Sequence, residues 1–262
     1  MAEDAWSSGA AYEGFIGRWS RPVAERFVPW LEPSAAASWI DVGCGSGALT
    51  STVLRLGEPS RVIGVDPSAD FIDHARASID DERASFQVGD ALSLPAADGS
   101  ADFVVAGLVL NFIPDPDAAL AEMSRVAAAG ATIAAYVWDY ADGMQMLRAF
   151  WDAAVDLDPE AANLDEATRF PLCRPEPLRS LFDEAGLADV RQTDITVDTT
   201  FTDFDDFWTP FLSGQGPAPG YCAGLSPPDL DRLRELLRSR LALDGEAIPQ
   251  TARAWAIQGI RT

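Results

Sequence analysis

The chain has 262 residues, 48% of them hydrophobic, enough for a substantial buried core and against wholesale disorder. It carries 41 acidic residues against 19 basic ones, a formal charge of −22, and contains no lysine. That balance argues against nucleic acid or an anionic membrane surface as partner, and the missing lysine excludes a P-loop, a Schiff base and pyridoxal phosphate chemistry.

No apolar run approaches the roughly 18–20 residues of a membrane span. The acidic start Met1-Ala2-Glu3-Asp4 has neither the basic nor the apolar part of a secretory signal. Cys44, Cys173 and Cys222 stand far apart and show neither a disulfide framework nor zinc spacing. The expectation is a cytoplasmic protein without a metal site.

In chain order, Ser20-Arg21-Pro22 reads as a helix start, with serine as N-cap, for an amphipathic helix to about Leu31. A strand follows at Ser38–Val42 and a helix at Ala48–Leu56. Arg61–Val65 is a second apolar strand, and Asp66-Pro67-Ser68 then starts a helix over Ala69–Ile79. Short strands are expected at Ser85–Val88 and Ala101–Ala106, a helix at Asp115–Ala128 and a strand at Ala131–Trp138. Continuous apolar strands alternating with helices signal a parallel sheet covered on both faces.

After Trp138 the rhythm breaks. Asp139–Arg174 reads as a helical excursion with an amphipathic stretch at Met144–Leu157. A helix at Pro175–Ala185, closed by Gly186, and a strand at about Val190–Val197 resume the alternation. Thr202–Leu225, rich in aromatics, proline and glycine, reads as irregular; a helix at Pro227–Leu243 and a strand at Ala254–Ile260 finish the chain. The expected fold is α/β, Rossmann-like and doubly wound, with a mostly parallel seven-stranded sheet, an antiparallel last strand and a helical cap. We expect one domain over 1–262, its core at about 33–138, 175–200 and 250–262, and its cap at about 1–32, 139–174 and 201–249.

The run Trp39-Ile40-Asp41-Val42-Gly43-Cys44-Gly45-Ser46-Gly47-Ala48 carries most of the functional information. An apolar strand ends on an acid, and three glycines at alternate positions lead into a helix. Such spacing lets the backbone turn sharply and lets a ligand approach it closely. A dinucleotide loop shares this pattern, and Asp66 stands near the spacing of an acid that grips a ribose. Asp41 points elsewhere: a carboxylate there would repel a diphosphate but favour a cationic group. Asp90, after the third strand, is a further acid at a strand end.

The set D-V-G-C-G-S-G, V-I-G-V-D-P-S, V-G-D-A-L-S-L-P, D-G-S-A-D-F-V-V and L-V-L-N-F-I-P-D-P resembles class I S-adenosylmethionine-dependent methyltransferases. It is most similar to the small-molecule branch that includes the ubiquinone and menaquinone biosynthetic enzymes, over about Tyr12 to Val137. The resemblance implies that Gly43, Gly45 and Gly47 lie along the methionine part of the cofactor, with Asp41 near its ammonium. Asp66 would accept from both ribose hydroxyls, with Pro67 or Ser68 against the adenine. Asp90 would take the adenine amino group beside Ala91 and Leu92. Asn111 and Phe112 would stand where methyl group and acceptor meet, and Tyr12, Arg18 and Trp19 would close over the cofactor.

The products implied are a methylated small molecule and S-adenosylhomocysteine, formed by a monomer or homodimer. No general base is identified: His74, the lone histidine, falls on a helix outside the sheet. An apolar acceptor pocket is expected from Phe112, Trp138, Tyr140, Met144, Phe170, Trp208, Phe211 and Tyr221, with 202–225 as a lid; a core of the cap's own is the competing reading of these aromatics. A cofactor-binding protein without transfer activity and an NAD-dependent oxidoreductase are the alternatives in function.

Overall fold

The computed structural model describes residues 17–214, 216–241 and 247–262. Those residues fall into two compact units. One comprises Ser20–Val137, Leu172–Ile195 and Ala254–Thr262; the other comprises the residues up to Trp19, Trp138–Pro171 and Thr196–Arg253.

The sheet has seven strands: β1 (Ser38–Val42), β2 (Arg61–Asp66), β3 (Ala84–Val88), β4 (Ala101–Gly107), β5 (Ala127–Trp138), β6 (Ala188–Asp198) and β7 (Thr251–Ile260). Their order is β3-β2-β1-β4-β5-β7-β6. The pairs β1–β2, β2–β3, β1–β4 and β4–β5 are all parallel. β7 runs antiparallel to β5, with Gly130 N donating to Arg261 O and Asp139 N donating to Arg253 O, each at 2.9 Å. The chain leaves β1 towards β2 and β3, then returns to β4 on the other side. That reversal in strand order falls at the carboxyl ends of β1 and β4, the place where open α/β sheets bind ligands.

The central strands β1 and β4 are mostly apolar and mostly buried, apart from Ser38 at the start of β1 and the exposed Asp102 of β4. Trp39 of β1 stacks on Phe103 of β4 with ring centroids 4.2 Å apart. Helix α1 (Arg18–Trp30) buries Val23, Ala24, Phe27 and Val28, a stripe at helical spacing, and Phe27 meets Tyr136 of β5 at 4.7 Å. α2 (Ala48–Leu56), α3 (Ala69–Ser78) and α4 (Pro116–Val126) follow β1, β2 and β4. Asp115 caps α4 by accepting from Ala118 N at 2.9 Å, and Ser68 caps α3 through Phe71 N.

Three expectations need correcting. α1 starts at Arg18, so Pro22 lies inside it rather than in a first turn capped by Ser20. β5 starts at Ala127, where Ala-Ala-Ala-Gly reads as a helix end. Pairing decides it: Arg261 N donates to Ala131 O at 2.9 Å and the Arg261 guanidinium to Ala127 O. The stretch 202–225 is not irregular either.

The second unit contains α5 (Gln145–Leu157), the one-turn α6 (Glu166–Arg169), and, beyond α7 (Pro175–Glu184) of the sheet unit, α8 (Phe204–Trp208), α9 (Pro217–Gly224) and α10 (Pro227–Arg240). Asp203 caps α8 by accepting from Asp206 N, and Pro217 opens α9. An aromatic core joins these pieces. Phe211 stacks on Phe150 of α5 at 4.4 Å and meets Phe207 and Trp208 of α8 at 5.7 and 6.0 Å.

Phe211 is fully buried while its neighbour Leu212 is 52% exposed, so the two separate packing from surface effects. Urea denaturation should show Phe211→Ala losing about 3–5 kcal/mol and Leu212→Ala changing stability by less than about 1 kcal/mol.

Candidate cofactor site

The loop after β1 is built from three left-handed glycines, with φ of 68° at Gly43, 51° at Gly45 and 87° at Gly47. It is tied to the end of β2. Gly43 N and Cys44 N both donate to Val65 O, at 2.7 and 3.0 Å, and Gly45 N donates to Asp66 Oδ2 at 3.0 Å. The glycines have different reasons. A Cβ at Gly43 would lie 2.5 Å from Val109 Cγ2, and one at Gly47 would lie 2.5 Å from Ile79 Cδ1. At Gly45 it would meet no protein atom within 4 Å, so this is the position that offers bare backbone to a ligand.

Asp41 is the penultimate residue of β1 and is 1% exposed. Its Oδ2 accepts from Thr50 Oγ1 of α2 at 2.7 Å, whereas its buried Oδ1 has no hydrogen-bond partner among the described residues. Burial pushes the carboxyl up to about 7, opposed by the hydroxyl and backbone N–H of Thr50 and reinforced by the charge of Asp66. Asp66, 8% exposed, accepts from Gly45 N and, at 2.9 Å, from Ser68 N. Burial raises its pKa too, against those two backbone bonds. The Cys44 thiol is also pushed up, by burial first and then by the two acids.

β3, β2, β1 and β4 are successive neighbours, so their carboxyl ends place Asp90, Asp66, Asp41 and Asn111 in a row. Asp90 is exposed and accepts from Leu92 N at 2.9 Å. Ala91 is half-buried, and Leu92 and Pro67 are exposed. Asn111 and Phe112 lie in a single 3-10 turn; both are half-buried, and Asn111 Nδ2 is buried without a partner. His74 is exposed on α3.

In the second unit, Arg18 Nη1 bonds Asp206 Oδ1 at 3.1 Å, and its guanidinium lies over the rings of Trp19 and Phe201. Tyr12 lies outside the described residues. Trp138, Tyr140, Met144, Trp208 and Phe211 are all buried, and Phe170 and Tyr221 are half-buried. Trp208 and Phe211 belong to the aromatic core described above. Tyr140 meets Phe170 at 5.8 Å, and Tyr221 meets Trp151 at 5.9 Å with its hydroxyl buried and unpartnered.

Sequence reasoning missed several supports of the site. Thr50 anchors Asp41, and its signal was a hydroxyl on the first turn of the helix facing the strand end. Val109 closes over Gly43. Leu108, between β4 and Val109, holds a left-handed φ of 61°, a strained conformation for a branched side chain and one with no mark in the sequence. Glu166, buried and bonded by the Trp151 indole, was missed as well; burial pushes it up to about 7.

The raised carboxyl of Asp41 has a stability consequence. The folded state binds its proton more tightly than the unfolded state, so this group's contribution is present at low pH and lost as pH rises from about 4 through about 7. In urea denaturation without ligand, Asp41→Asn should match the parent chain near pH 4 and exceed it by about 1–3 kcal/mol above pH 7.

A family model described as "Methyltransferase domain" matches residues 40–135, the stretch that includes the glycine loop and the four strand ends. Demethylmenaquinone methyltransferase of Roseiflexus sp. (strain RS-1) is 34% identical over 173 residues, covering 60% of this chain and 71% of that protein. An uncharacterized methyltransferase of Mycobacterium tuberculosis (strain ATCC 25618 / H37Rv) is 28% identical over 93% of this chain and 90% of its own length. Among solved structures, a Haemonchus contortus phosphoethanolamine N-methyltransferase 2 in complex with S-adenosyl-L-methionine shares the fold. It gives a TM-score of 0.58 at 16% identity, over 96% of this chain and 56% of that one. By sequence, fold and the glycine-and-acid loop together, the chain belongs to the class I S-adenosylmethionine-dependent methyltransferases, with S-adenosylmethionine as its cofactor.

Proposed function

We propose that this enzyme methylates a small organic acceptor, and that the cofactor is held by the row of residues at the carboxyl ends of β1 to β4. The single observation that carries the placement is the buried Asp41 Oδ1 without a partner. An orphaned carboxyl oxygen near the end of β1, before a glycine loop with bare backbone at Gly45, fits a ligand that brings an ammonium group; a diphosphate would meet two buried acids and, among the described residues, no arginine acting on Asp41.

S-adenosylmethionine, when bound, supplies a methyl group on a sulfonium for in-line displacement. The residues of this chain hold and orient. Asp41 Oδ1 would accept from the ammonium while Thr50 fixes the other oxygen. Asp66, with each oxygen already steadied by one backbone N–H, keeps lone pairs for the two ribose hydroxyls. Asp90 would take the adenine amino group, with Ala91 and Leu92 beside the ring. Such positioning, together with exclusion of water, provides most of the acceleration such a transfer needs.

No imidazole stands at the strand ends, which favours an acceptor nucleophilic without a strong base. In the second unit, Tyr221 has a buried hydroxyl without a partner among the described residues, within an aromatic setting. The named relatives support a small acceptor: one is a demethylmenaquinone methyltransferase, and another a phosphoethanolamine N-methyltransferase.

Two measurements test this. In calorimetry, S-adenosylhomocysteine should bind and NAD should not; the reverse result overturns the site assignment. A methyl-donor assay against quinols, phenols, amines and carboxylates, with a nucleic acid and a protein extract alongside, should give turnover in the small-molecule arm. Turnover confined to the macromolecules would refute the acceptor class.

A further inference from the structure

The carboxyl group of Asp41 is buried, with 1% of the residue exposed. On its own strand and the two neighbours, the register sets it between Gly64 of β2 and Val105 of β4. α2 presents Thr50, whose hydroxyl occupies one oxygen. The titratable group that acts on it is Asp66 at the end of β2, whose charge disfavours a second negative charge; the nearby Cys44 thiol, pushed up by burial, is neutral. Among the described residues no arginine acts on it. A charge here is buried, half-bonded and next to another acid, and the least costly remedy is a proton.

We infer that Asp41 carries a proton in the ligand-free protein and gives it up to solvent when the ligand's ammonium group docks on Oδ1, so that cofactor binding is coupled to the release of one proton. The inference rests on the cofactor placement proposed above and adds its regulation. The bookkeeping closes within the site. A neutral carboxyl with an unpartnered buried oxygen becomes a carboxylate hydrogen-bonded to Thr50 and to a cation, and one proton leaves. The ligand-free carboxyl, held near neutrality by burial, makes the coupling visible in the range where proteins are handled. Below that range, each unit of acidification should weaken binding about tenfold, because the ligand must displace the proton; above it, affinity should level off.

The test is calorimetry of S-adenosylhomocysteine on the full chain at pH 6.0, 7.0 and 8.0, in buffers of contrasting ionisation enthalpy. The inference expects close to one proton released per ligand at pH 6.0, little at pH 8.0, and no such trend in Asp41→Asn, whose amide oxygen still accepts from Thr50. Difference infrared spectra provide a second readout that does not depend on the variant binding. Adding ligand at pH 6.0 should abolish a protonated-carboxyl band that the ligand-free Asp41→Asn protein lacks. Binding without proton release, or release that persists in Asp41→Asn and so belongs to another group such as Asp66, overturns the coupling alone. Absence of any S-adenosylhomocysteine binding overturns the placement beneath it as well.

Discussion

The carbonyl of Val65 accepts two consecutive amides, those of Gly43 and Cys44, and the rest of the site follows from that anchorage. It fixes the glycine loop to the end of β2, and Gly45 N extends the tie to the Asp66 side chain. With the loop pinned there, the helix after Gly47 must start over the end of β1. Thr50 on its first turn then reaches Asp41. A carboxyl group is thereby locked between two strands with only one of its oxygens satisfied among the described residues. The same constraint forces glycine at Gly43 and Gly47, where Val109 and Ile79 leave no room for a side chain.

Stability and function pull against each other at that carboxyl. A residue chosen only for folding would be apolar or fully hydrogen-bonded, since a buried charge with an idle lone pair is costly. Strain adds to this at Leu108, held in a left-handed conformation where β4 gives way to the 3-10 turn of Asn111. Both features lie at the sheet's switch in strand order, and the surrounding apolar strands keep them in place. The enzyme class reads from this end of the sheet, whereas the second unit is organised by its own aromatic packing.

Much of this was legible in the sequence for definite reasons. Apolar strands bounded by Asp41, Asp66 and Asp90 announce a parallel sheet and its ligand-facing edge together, because an acid at a buried strand's exit has few structural uses. Capping signals located α3 and α4, where Ser68 and Asp115 bond the helix amides. What failed lacked a local signal. The first residues of β5 became strand through pairing, Ala127 with Ala101 of β4 and Gly130 with Arg261 just past β7, and alanine there carries no strand preference. Pro22 misled because the helix starts upstream of it. In 202–225, frequent proline and glycine hid short helices: Asp203 caps α8, while Gly216 and Pro217 open α9. Val109 was invisible because its role depends on where the loop turns, not on its own type, and the hydroxyl of Thr50 on the first turn of α2 was a signal only once the turn was known.

A crystal structure with S-adenosylhomocysteine bound would test the central claim most directly. The account predicts the ligand's amino nitrogen within about 3 Å of Asp41 Oδ1, its ribose hydroxyls on Asp66, and its backbone contact at Gly45. An amino group paired elsewhere, with Asp41 Oδ1 still facing only protein, would contradict it.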